Sequence, residues 1–299
     1  MIALQDFFAR GESTLLLFSA LLYLAAMLGL WTQLFLRNGE QNKDSVSRFT
    51  ALCHGLLWAG WTLHGASLVG QGSTLFSIRD GVVGLFGWVL LGAYLVFGGS
   101  AGRKAAQNKG GAQSAIFQKS SMGAFVTPVV LVATLYSLAA PTLHPSVPEA
   151  ALQKPWLIIH VITILISYVA LAFAFASSLL YLLQDNLLKR KKLSGLWLKL
   201  PSLQVADEWI YRATAFGLAA LTLGLLSGVL WLRLHPEYSA LRDPKVLISL
   251  ATWLTFAIYL AARRQLGWSG RKSNWVVVGG FVLLAISFLA TPHLLNGIS

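Results

Sequence analysis

Six histidines are set into an otherwise apolar chain: His54, His64, His144, His160, His235 and His293. Imidazole is the commonest metal and haem-iron ligand near neutral pH. An ionisable residue inside an apolar segment is costly, so each is a functional candidate by default. His160 interrupts KPWLIIHVITILISY, residues 154–168. It lies five residues past Pro155, about 8 Å along a helix that starts there. Two imidazoles from different helices at one depth, His160 and His293, could fill both axial positions of a haem. The plainer alternative for His160 is a hydrogen-bonded packing residue, and for His293, beside Pro292, a place at the membrane interface.

The elements that must hold these residues are hydrophobic spans. The chain of 299 residues is 56% hydrophobic and 11% charged, with a mean hydropathy of +0.65. Soluble domains carry about 25% charged residues, so this composition is that of an integral membrane protein. Apolar runs long enough to cross a bilayer fall at about 13–35, 49–69, 81–98, 122–140, 155–183, 210–231, 246–262 and 274–292. The expected fold is all-α: a polytopic helical membrane bundle of eight spans forming one domain over 1–299. The formal charge of +12 comes from short loops between apolar runs. That pattern reads as a topology signal rather than a nucleic-acid surface.

Seventeen lysines and arginines fall on the side of loops 36–48, 99–121, 184–209 and 263–273, and six on the other. The positive-inside bias places both termini on the external side. With that topology five of the six histidines gather at or near the external face, and His54 lies near the inner end of the second span. Loop 184–209 mixes basic residues with Leu196, Trp197 and Leu198. It reads either as an interfacial helix on anionic headgroups or as a solvated basic loop.

In the second span His54, Trp58, Trp61 and Gly65 share one helical ridge, with His64 beside it. His54 and His64 stand ten residues apart, about 15 Å, so they cannot ligate one ion together. The ridge reads as an aromatic packing face with Gly55, Gly60 and Gly65 allowing close approach, or as two levels of a ligand pathway. The single cysteine, Cys53, excludes a disulfide framework within the monomer and a Cys-x-x-Cys redox pair. No hydrolytic or redox active-site motif is seen, and the spans lack the acidic residues of a proton-coupled relay, so an enzyme is the less favoured reading.

From residue 154 onward the chain resembles the cytochrome c assembly family, the CcsA and HemX type of haem-handling membrane proteins. The segments that carry the likeness are KPWLIIHVITILISYVALAFAFASSLLYLL, WIYRATAFGLAALTLGLLSGVLW, DPKVLISLATWLTFAIYL and LGWSGRKSN, with GAFVTP at 123–128 a weaker match. The resemblance implies that His160 is an external haem ligand in Trp-Leu-x-x-His. It implies that Asp243, Pro244 and Lys245 close a tryptophan-rich haem-cradling segment, and that Tyr211, Arg212, Gly224, Gly228 and Trp231 are framework. Three tryptophans expected before Asp-Pro-Lys are here Pro236, Ala240 and Arg242, and a histidine expected after AIYL is Ala261. The closest branch is therefore HemX-like.

The resemblance implies a haem-binding protein of a bacterial inner membrane. The haem would be b-type, with His160 as main ligand and His293 or His64 as partner, and with His54, Asp243 and Trp231 as further binding candidates. Its partners would be the bilayer, haem, and proteins of cytochrome c assembly or haem biosynthesis, and not nucleic acid. The other reading is a membrane regulator or scaffold that keeps the frame and has lost haem.

Overall fold

The computed structural model describes residues 2–36, 43–71, 79–109, 111–139, 155–190, 200–234 and 244–289. Among these are eight α-helices: α1 (Ile2–Trp31), α2 (Lys43–Gln71), α3 (Arg79–Lys109), α4 (Gly111–Ala139), α5 (Pro155–Lys189), α6 (Leu203–Leu234), α7 (Pro244–Gln265) and α8 (Arg271–Leu289). A π-helical turn, Thr32–Leu36, continues α1. The fold is all-α, that of a polytopic membrane protein, and the described part of each expected span is helical, the first running from α1 into the π-helical turn. Stretches of α1, α4, α5, α6 and α7 are long and apolar enough to cross a bilayer, and Gly81–Val96 in α3 is a shorter apolar stretch. In α2 the run is diluted by Thr50, His54, Thr62, His64 and Ser67.

One expectation changes. Residues 99–121, read as a loop, are helical on both sides of residue 110. The segment SAGRKAAQNK contains no proline and several strong helix formers, so the loss of hydropathy there marks a change of surroundings rather than the end of a helix.

The chain divides into two compact units, one holding α1–α4 and the other α5, as far as Asp185, with α6–α8. In the first unit α1 packs on α2 and α4, and α3 on α2 and α4. Cys53 is buried where α2 meets α1 at Gly29. Pro128 lies inside α4 and has no N–H for the carbonyl four residues back. That carbonyl, Ala124 O, instead accepts the indole N–H of Trp31 at 2.7 Å. A freed backbone group at membrane depth is thereby satisfied by a neighbouring helix.

Between α2 and α3 the contact is reciprocal. Trp61 donates to the Trp88 carbonyl at 3.0 Å, and Trp88 donates to the Trp61 carbonyl at 2.9 Å. The two rings stack at 4.5 Å. Each indole nitrogen lies 2.9 Å from where a Cβ would stand on the other helix's glycine, Gly92 or Gly65. Any larger residue at either place would push the helices apart. The packing reading of the second-span tryptophans is what the contacts describe.

In the second unit α5 and α6 run against each other, with Ile164 seated on Gly224 and Leu171 on Gly217. Ser167 donates to the Gly217 carbonyl at 2.8 Å. Phe175 and Phe281 stack at 4.4 Å between α5 and α8, and Trp253 of α7 donates to Thr222 of α6 at 2.9 Å. At one end Arg263 grips Asp207 through both guanidinium nitrogens, at 2.9 and 2.6 Å. The outward faces stay apolar: Phe216, Leu223, Leu226 and Leu230 are all exposed on α6. Lipid tails are the medium that such a stripe fits.

Candidate functional site

His160 sits in the second turn of α5, half-buried, with its Nδ1 2.8 Å from Ser227 Oγ on α6. The serine hydroxyl itself lies 2.7 Å from the Gly224 carbonyl, to which it donates. A hydroxyl has one proton. With that proton given to a carbonyl, which can only accept, Ser227 must receive a hydrogen bond from His160. The imidazole is therefore held as the Nδ1–H tautomer, and its basic lone pair is on Nε2.

Orienting a histidine through the nitrogen that does not ligate is the usual way a protein prepares one to bind a metal. Gly228 lies one residue beyond Ser227, and a Cβ there would stand 3.4 Å from His160 Cε1. The missing side chain lets the ring lie against the α6 backbone. Tautomer, orientation and donor type fit a residue that would hold a haem iron, which needs only one or two protein ligands. No cluster of three His, Cys, Asp or Glu residues able to hold a bare metal ion occurs among the described residues.

Trp231 follows Gly228 on α6 by one turn. His293 and Asp243, and the loop histidines His144 and His235, lie outside the described residues.

The two histidines of α2 differ in what they have left to offer. His54 Nδ1 is 2.9 Å from the Thr50 carbonyl, so it donates there, and its Nε2 accepts from Tyr94 Oη at 3.0 Å. Both ring nitrogens are thus engaged in tying α2 to α3. His64 is fully buried, with Nδ1 3.3 Å from Tyr23 Oη on α1. Its Nε2 has no hydrogen-bond partner among the described residues. A Cβ on Gly84 of α3 would stand 3.5 Å from that nitrogen.

Sequence reasoning passed over Ser227, Tyr23 and Tyr94. Ser227 stands in GLLSGVLW at 224–231, one residue before a glycine already singled out. A polar residue one helical position from a close-approach glycine was the available signal.

The sequence profile described as cytochrome C assembly protein matches residues 14–299. The chain belongs to the cytochrome c assembly family. Among curated relatives it is 30% identical over 213 residues to the cytochrome c biogenesis protein CcsA of Heterosigma akashiwo (strain NIES-293 / 8280G21-1), covering 59% of this chain and 66% of the relative. The protein of that name from Chlamydomonas reinhardtii is 36% identical over 155 residues, 52% of this chain and 42% of its own. The one from Synechococcus sp. (strain CC9902) is 32% identical over 166 residues, 48% and 54%. The chain spans less than two thirds of the length of these relatives. No solved structure matches it.

Proposed function

We propose that the protein binds haem in a bacterial inner membrane as part of cytochrome c assembly, with His160 Nε2, near the external face, as the atom that would hold the iron. The observation that carries this reading is the hydrogen-bond chain from His160 Nδ1 through Ser227 to the Gly224 carbonyl. Support comes also from membership of the family and from relatives whose names give cytochrome c biogenesis.

A bound haem would supply an iron centre able to accept imidazole nitrogen. Ser227 fixes the tautomer and angle of His160, and Gly228 leaves room beside the ring. His293 or His64 serves as the second ligand.

Purified protein reconstituted with haem tests this through its oxidised and reduced visible spectra. A Soret band with sharp reduced α and β bands, lost in His160→Ala, is the expected result. Parallel His293→Ala and His64→Ala samples identify the second ligand. A colourless wild type, or a spectrum indifferent to His160→Ala, overturns the proposal. That result would favour the regulator or scaffold role, to which Pro236, Ala240, Arg242 and Ala261 already point.

A further inference from the structure

The connection between α7 and α8 is short and rigidly shaped. Gly267 and Gly270 take φ of +64° and +80°, a region that L side chains rarely enter. The N–H groups of Leu266 and Trp268 both return to the Ala262 carbonyl, at 2.9 and 3.3 Å. The Gly270 carbonyl accepts the backbone N–H of Asn274 at 3.2 Å and its side-chain amide at 2.8 Å. The backbone is therefore fixed from both sides, and what it holds out is apolar: Leu266 is 68% exposed, Trp268 42% and Trp275 53%.

Around these side chains stand three exposed cations, Arg264, Arg271 and Lys272, and residues 264–275 include no acid. The nearest carboxylates are committed elsewhere. Asp207 is gripped by Arg263, and Glu208 pairs with Arg212 on its own helix. Asp185 approaches Arg271 only to 3.7 Å. Arg264 has Tyr211 Oη as its hydrogen-bond partner at 3.2 Å, and no carboxylate among the described residues is within ion-pair distance of Arg264 or Lys272.

We propose that the α7–α8 connection is a binding site for anionic phospholipid headgroups. Leu266 and Trp268 enter the headgroup region, and Arg264, Arg271 and Lys272 hold the phosphates. Its place argues for lipid over a soluble acidic partner, because α7 is long and apolar enough to cross the bilayer and its end lies at the bilayer surface. Indole rings favour that depth. Guanidinium forks match phosphate geometry, and clustered cations near a membrane surface select anionic lipid. The proposal is independent of haem.

The test uses the full chain in a mild zwitterionic detergent. It is titrated with phosphatidylglycerol or with phosphatidylcholine, and lipid retention is read by native mass spectrometry. Phosphatidylglycerol is expected to bind selectively and to weaken with added salt. Loss of about fivefold in affinity per cation is expected, roughly a hundredfold for Arg264→Gln/Arg271→Gln/Lys272→Gln together. Lys272→Gln alone, at an exposed position, serves if the triple variant fails to fold. Equal retention of both lipids overturns the proposal, as does an unchanged phosphatidylglycerol affinity in Lys272→Gln. Displacement of the lipid by an acidic peptide at equal concentration of negative charge would assign the site to a protein partner and overturn it too.

Discussion

At the scale of single residues, one proton decides the state of His160. Ser227 donates to Gly224 and so accepts from the imidazole. Ser227→Ala removes that acceptor while leaving the ligand in place, so haem affinity is expected to fall about 10- to 100-fold, as for other orienting partners of metal-bound histidines. A haem titration followed at the Soret band measures it, and an unchanged affinity would show that the serine does not orient the ring. Tyr94→Phe makes the contrasting case. It strips the donor from buried His54 Nε2 and should cost about 1–3 kcal/mol of stability, the cost of leaving a buried polar atom unmet. The haem spectrum is expected to stay as it is. His160 was legible in the sequence because an imidazole in an apolar run stands out. Ser227 was not, since serine is common in packed membrane helices and its register against α5 comes only from the fold.

At the scale of elements, the eight helices were legible from run length alone, because a bilayer asks for long apolar stretches and little else. What length could not reveal was pairing. The Trp31 indole reaches a carbonyl freed by Pro128, a contact between residues far apart in sequence that no periodicity encodes. Helix on both sides of residue 110 was hidden for the opposite reason, since polarity there mimics a loop. The Trp61–Trp88 contact should dominate the α2–α3 join. Trp61→Ala removes a stacked ring and an indole donor together and is expected to cost about 3–5 kcal/mol, seen as a lower thermal midpoint in detergent. At the far end of the second unit, Arg263→Gln leaves Asp207 charged and half-enclosed. A loss of about 2–3 kcal/mol is expected, smaller than for a fully buried pair because both partners keep some solvent. Asp207→Asn/Arg263→Gln together should recover part of it, and a double-mutant cycle measures the coupling.

At the scale of the molecule, orientation rests on charge asymmetry: seventeen lysines and arginines against six. Cysteine accessibility in intact cells checks it. Cys53 is buried, so replacing it with serine gives a silent background. Lys154→Cys is expected to react with a membrane-impermeant maleimide, and Lys272→Cys only after the cells are broken. The reverse pattern would place the termini inside and move His160 to the cytoplasmic face.

The tryptophan contact of α2 and α3 has a consequence outside this protein. The same four-residue spacing, a tryptophan followed by a glycine, occurs on both helices and is read in opposite directions, 61 to 65 against 88 to 92. Each copy supplies what the other lacks, so one copy is complementary to itself. A single synthetic span carrying the stretch around Trp61 and Gly65 is therefore a candidate antiparallel homodimer, with the two-fold axis passing between the stacked indoles.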